Sequence, residues 1–258
     1  MWLALLLSVT ASVMSGCGRQ PQKQLVVRGG PSLDGLFSKL VAAYEARHPD
    51  VRIVPSFSCP PCVMLKGQGD RPELDVFASI GRFEMDRLSE EGRVDFVYTA
   101  TVGHTALSLI SRRGDLPSPD GLAALHGDGL KHIGVGDPEK VAVGYYARQA
   151  LGKAGLWGEL EGRLVYSQSG CELLKWLALG RDIDAAIVFS VCKGDEGDAL
   201  PVVYDFPAAL VPPVPLILGV SRDARQHKLA REFVDFVAGP DARSTLAGYN
   251  IQVVDAND

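Results

Sequence analysis

His132-Ile133-Gly134-Val135-Gly136-Asp137-Pro138-Glu139-Lys140-Val141-Ala142-Val143-Gly144-Tyr145-Tyr146-Ala147 decides the fold. It opens as a short apolar strand and breaks at Gly136-Asp137-Pro138, where proline removes a backbone donor and ends the pairing. It then re-enters regular structure as a helix from Tyr145 to Ala154. This is one strand–loop–helix unit, and units of this kind make α/β folds with mostly parallel sheets. Such sheets gather their ligand loops at the carboxyl ends of the strands.

The same unit recurs on both sides. Leu25-Val26-Val27 is a strand turned by Arg28-Gly29-Gly30-Pro31. Ser32 then stands as an N-cap before Leu33, Leu36, Phe37, Leu40, Val41 and Tyr44 at helical spacing. Val51 to Phe57 is a strand leading into Ser58-Cys59-Pro60-Pro61-Cys62. Asp75 to Ser79 is another, followed by a helix from Phe83 to Glu91, and Thr105 to Ile110 is the next strand. Leu164-Val165-Tyr166 precedes a helix opened by Ser169-Gly170-Cys171-Glu172, with capping-box spacing between Ser169 and Glu172. Ala185 to Ser190 is a buried strand leading to Cys192, and Leu216 to Val220 is a late one. Helices from Gln226 to Val237 and from Gly239-Pro240 to Tyr249 close the chain.

The chain has 258 residues, 47% hydrophobic and 22% charged, with net charge −5. These values describe a globular chain long enough for two lobes. No basic run is present, which argues against a nucleic-acid partner. A small anion is not excluded, because helix N-termini and backbone N–H groups bind anions without Lys or Arg.

Trp2 to Val13 is apolar but too short to span a bilayer, and it ends in Met14-Ser15-Gly16-Cys17. Small residues directly before a cysteine resemble the lipobox of bacterial lipoproteins. The expectation is a signal peptide over residues 1–17, lipidation at Cys17, a polar tether over 18–24, and an exported protein held at the membrane only through its lipid. A plain cleaved signal is the alternative. Export leaves Cys59, Cys62, Cys171 and Cys192, which can form disulfides or a thiolate site.

From about Leu25 to Ile251 the chain resembles the periplasmic molybdate-binding proteins of ABC importers. The pieces are Ser32-Leu33, Asp75-Val76-Phe77-Ala78-Ser79, Gly136-Asp137-Pro138-Glu139 with Val143-Gly144 and Tyr146-Ala147, Ala185 to Phe189, and the closing helices. The resemblance implies a two-lobed periplasmic-binding-protein fold with a cleft between lobes, here 25–103 with 213–258 and 104–212. It implies a small oxyanion of the molybdate or tungstate type, held dry by serine hydroxyls, backbone N–H groups and a tyrosine. Ser32 matches the first serine, and Val143 and Gly170 fall on backbone-donor positions. Cys59 stands in the family's serine-rich loop and Phe189 on its tyrosine position. Cys171 directly follows Gly170.

The resemblance therefore implies a solute-binding protein in the periplasm or at the cell surface, not an enzyme. It needs no cofactor, acts as a monomer, and delivers its ion to permease subunits. Two alternatives come from the cysteines. Cys59, Cys62, Cys171 and Cys192 together would suit a soft metal or metalloid, whereas Cys59 and Cys62 alone would suit a thiol–disulfide oxidoreductase.

Overall fold

The computed structural model describes residues 23–58, 73–112, 121–126, 129–193 and 200–254. Two sheets form the molecule. The first contains β1 (Lys23–Gly29), β2 (Val51–Phe57), β3 (Val76–Ile80), β4 (Phe96–Thr105), β10 (Val214–Ser221) and β11 (Gln252–Val253), in the order β11-β4-β10-β3-β1-β2. The second contains β5 (Leu107–Ser111), β6 (Ile133–Gly136), β7 (Leu164–Ser167), β8 (Ala185–Phe189) and β9 (Val202–Asp205), in the order β7-β6-β8-β5-β9. The helices are α1 (Asp34–Arg47), α2 (Phe83–Glu90), α3 (Gly121–His126), α4 (Ala142–Lys153), α5 (Trp157–Leu160), α6 (Gly170–Ala178), α7 (His227–Ala238) and α8 (Arg243–Gly248).

The α/β architecture with helices flanking two sheets is the one the sequence implies, but the strand pairing is mixed. β2, β1 and β3 pair in parallel, as do β7, β6 and β8, while β10 lies antiparallel between β3 and β4, and β5 antiparallel between β8 and β9. The cause is the crossover. The chain leaves the first sheet at Thr105 and enters the second at Leu107, then returns to the first at Val214. Strands that begin where the sheets meet must run against strands that end there.

Local structure corrects several expectations. β1 starts at Lys23, so Lys23 and Gln24 are strand and not tether. β4, which the hydrophobic pattern did not announce, alternates half-buried with exposed residues over Phe96–Thr101, so it carries no continuous apolar run. Ser32 lies inside a 3-10 turn, Pro31–Leu33, and does not cap α1; the residue before α1 is Leu33, with no side-chain cap. α4 begins at Ala142, three residues earlier than expected. Asp137 carries the turn before it: Lys140 and Val141 donate their N–H groups to the Asp137 carbonyl, and Glu139 donates to the Asp137 carboxylate at 3.0 Å. A Lys140–Asp137 ion pair at 2.7 Å closes that turn. The Gly136-Asp137-Pro138 motif is thus a structural joint.

The core follows the helical spacing read from the sequence. Leu36, Phe37, Leu40, Val41 and Tyr44 of α1 are buried, as are Leu229, Ala230, Phe233, Val234 and Val237 of α7. Tyr44 meets Phe233 and Phe236 edge-on, both at 5.2 Å between centroids, a geometry that the ring quadrupoles favour. Asp75 anchors the first sheet: its buried carboxylate accepts the N–H groups of Val26 and Arg225, each at 2.7 Å.

Candidate ligand-binding cleft

Four strand-to-helix loops meet between the sheets. Gly30, Pro31, Ser32 and Leu33 follow β1; Ser79 and Ile80 end β3 and Glu84 lies in the first turn of α2; Val141, Ala142 and Val143 follow β6; Gln168, Ser169 and Gly170 follow β7. With Phe77, Ala78 and Phe189 they line one cavity of about 30 Å³. A water needs roughly 10–15 Å³ on that scale, so the space suits a small inorganic ion and not an organic ligand.

Each loop places its polar group for a local reason. The tight Pro31 turn holds Ser32 in the cavity wall instead of on the helix. Val143 sits in the first turn of α4 and Gly170 opens α6, so both helix N-termini, with their positive dipole ends, line the cavity. Ser169 caps α6, accepting the Glu172 N–H at 3.2 Å. The reciprocal bond goes from the Gln168 N–H to Glu172 at 3.0 Å, one residue before the position a capping box requires. Gly136 and Gly144 let β6 and α4 touch: a Cβ on Gly144 would fall 2.3 Å from the Gly136 carbonyl oxygen.

Of the residues singled out in the sequence, Ser32, Val143, Gly170 and Phe189 come together in this cavity. Phe189 is 2% exposed and meets Tyr146 edge-on at 6.0 Å. Cys171 and Cys192 line a wider, adjoining cavity of about 350 Å³ that shares Pro31 and Ser32 with the first and includes Phe57, Lys175 and Tyr249. The Cys171 sulfur lies 3.4 Å from the Pro31 carbonyl oxygen, as a thiol donor to it would. Cys192 is hydrogen-bonded to Cys171 and buried; both effects push its thiol well above the ordinary value, against a smaller opposing effect of the Ser32 hydroxyl. Cys17, Cys59 and Cys62 lie outside the described residues. Among the described residues no cluster of three or more His, Cys, Asp or Glu side chains could hold a metal ion.

The sequence reading missed Glu84. It stands in the first turn of α2 and is the one ionisable side chain among the residues lining the cavity. Its carboxylate accepts the Ser79 hydroxyl at 3.1 Å and the Ala142 N–H at 2.9 Å, joining the two sheets' helices across the cavity. Burial pushes its carboxyl above the ordinary carboxylate value, and the Ala142 and Ser79 hydrogen bonds only partly offset this. Further contacts close the same edge. Arg87 donates to the Glu139 carbonyl at 2.8 Å, and Phe83 stacks on Tyr145 at 4.9 Å. Tyr146 packs on Gly81, whose φ of +76° suits glycine.

This fold and cleft define a two-lobed solute-binding protein. Residues 25–250 match the family model described as bacterial extracellular solute-binding protein, and the chain belongs to that family. It is similar to the putative ABC transporter substrate-binding lipoprotein YvgL of Bacillus subtilis, 23% identical over 95% of this chain and 92% of that protein. The molybdate-binding protein ModA of Haemophilus influenzae is 25% identical over 93% of this chain and 95% of its own. The Azotobacter vinelandii periplasmic molybdate-binding protein shares the fold, with TM-score 0.75, 20% identity, and coverage of 90% of this chain and 100% of that one. Among the described residues, no helix is long and apolar enough to cross a membrane.

Proposed function

We propose that this protein is the extracytoplasmic binding component of an ABC importer and holds a small tetrahedral oxyanion, of the molybdate or tungstate type, in the cleft. Ser32 donates its hydroxyl, and the N–H groups near Val143 and Gly170 donate from two helix N-termini, while Phe189 forms an apolar wall. The observation that carries this reading is the convergence of these groups on one small cavity whose lining has no Lys, Arg or His. Neutral donors in a dry site select an oxyanion by geometry and favour its charge through helix dipoles. The lobes are 25–105 with 213–258, and 106–212, because β4 keeps His104 and Thr105 in the first sheet and moves the expected boundary at 103 to the end of that strand. They close on the ion so that the permease recognises the loaded form. Anchoring through a lipid on Cys17, action as a monomer, and a place in the periplasm or at the cell surface complete the proposal. The relative named as a lipoprotein supports the anchor.

Thermal unfolding with molybdate, tungstate and sulfate tests the reading. A ligand at about 100 times its Kd stabilises by about 2.7 kcal/mol, so the cognate ion raises Tm by several degrees. No shift with any tetrahedral oxyanion overturns it.

The Cys171–Cys192 pair favours a second reading, in which a soft cation binds beside Ser32. Binding there requires both thiols to release protons, and the raised Cys192 value opposes this. Elemental analysis before and after Cys171→Ser decides it. Cys59 and Cys62, on which thiol–disulfide exchange would rest, lie outside the described residues, and the relatives named above are binding proteins.

A further inference from the structure

Glu84 is the feature that an oxyanion cleft of neutral donors does not account for. A carboxylate accepts hydrogen bonds and offers none when ionised. It occupies two groups that a bound anion would use: the Ser79 hydroxyl and the Ala142 N–H at the start of α4. In effect an internal anion already sits at one edge of the cavity. Placing a dianion beside it in so small a space sets like charges together, which protonates one partner. No cation lines the cavity to relieve this.

Among the charged groups around Glu84, Arg87 favours the ionised form, as the smallest of the effects acting on it. On its own helix, Arg87 acts on it from a distance while donating to Glu139 and pairing with Glu91, and Asp86 is paired with Arg82. β3 contributes only Ser79. From α4 come Ala142, which donates its N–H, and Tyr145 and Tyr146; burial raises the Tyr146 hydroxyl and keeps it neutral.

We propose, building on the oxyanion reading above, that the cleft takes up its anion together with one proton, which resides on Glu84 in the loaded state. The step balances simply. The ionised carboxylate, one proton and a dianion give a neutral carboxylic acid whose O–H donates to the bound ion. The negative charge of the loaded cavity is then that of the ligand alone. When the ligand arrives as a monoprotonated oxyanion, the same proton comes with it and none is drawn from solvent. Glu84 thereby becomes a specificity residue. It penalises dianions in alkaline conditions and favours them as the pH falls, and it favours oxyanions that carry their own proton.

The test is titration calorimetry with molybdate, tungstate and sulfate, from about pH 6 to pH 8, in two buffers of different ionisation enthalpy. The wild type is expected to gain affinity as the pH falls, approaching tenfold per unit where the unloaded carboxylate is ionised, and to take up about one proton per anion at the alkaline end. Glu84→Gln mimics the protonated acid, and Ser79 can reverse its bond toward the amide. That variant is expected to bind with a flat pH profile and no proton uptake, and more tightly than wild type near pH 8. Should Glu84→Gln fail to fold, the proton count on the wild type decides alone. Tight binding with no proton uptake and a flat profile in the wild type overturns this inference and leaves the oxyanion reading standing. No binding of any of the three ions to either protein overturns the oxyanion reading, and this inference with it.

Discussion

Glu84 Oε1 accepts the Ala142 backbone N–H at 2.9 Å, linking the first turn of a helix on one sheet to the first residue of a helix on the other. Both residues line the cavity, so the two sheets are joined there in part by a carboxylate whose ionised form burial disfavours. The opposing effects predict how stability responds to pH. Because its value is raised, the folded protein keeps the Glu84 proton to higher pH than the unfolded chain does. The associated stability is complete below the ordinary carboxylate range and is lost as pH rises through the folded value. Glu84→Gln is therefore expected to reduce the fall in Tm as the pH rises above the ordinary carboxylate range. An equal fall in both proteins, measured by differential scanning fluorimetry, would contradict this.

Ser32 is placed by a turn and not by a helix cap, so removing its hydroxyl leaves α1 intact. Ser32→Ala is expected to weaken oxyanion binding by about ten- to a hundredfold, the size of one hydrogen bond to a charged group. Its Tm without ligand should stay within a few degrees of wild type. Equilibrium titration with the cognate ion, beside a melting curve, separates the two effects.

Gly144 has no room for a side chain, since a Cβ would fall 2.3 Å from the carbonyl oxygen of Gly136. Backbone gives way less easily than a side chain, and overpacking of this kind costs about 1–3 kcal/mol. Gly144→Ala should lower Tm and also weaken ligand binding, because it shifts the helix N-terminus carrying Val143. Chemical denaturation at constant m-value measures the first effect.

The thiols of Cys171 and Cys192 should react slowly in the native protein. Cys192 is 8% exposed and its thiol is pushed up, while Cys171 is engaged with Pro31. In a chain with Cys59 and Cys62 replaced by serine, a thiol reagent near neutral pH should label neither quickly and both after unfolding. Rapid native labelling of Cys192 would contradict the geometry of this pocket.

The fold was legible where hydrophobic period and turn chemistry agreed. α1, α7 and strands β1, β2, β3, β6 and β8 follow from apolar spacing and from glycine and proline at their ends. β4 was not legible, because a half-exposed strand of Thr, Val and Tyr gives no buried run. The mixed pairing was hidden as well, since strand direction at β5 and β10 depends on where the chain crosses between sheets, a long-range property. At the site, Ser32, Val143, Gly170 and Phe189 were found by resemblance, and all four line the cavity. Cys171 and Cys192 line the neighbouring cavity, which shares Pro31 and Ser32 with the first. Glu84 carried a weak signal, an acidic residue in the first turn after a buried strand, and that pattern is far more often a simple response to the helix dipole.

An oxyanion and a metal in the cleft are told apart by what the protein retains. The most direct measurement is native mass spectrometry with elemental analysis, on protein exposed to molybdate, tungstate, sulfate, zinc and copper(I) and then dialysed. One tetrahedral oxyanion per chain, lost in Ser32→Ala and retained when both Cys171 and Cys192 are serine, is the expected result. A stoichiometric soft metal with no oxyanion, lost when those cysteines are replaced, would contradict the account.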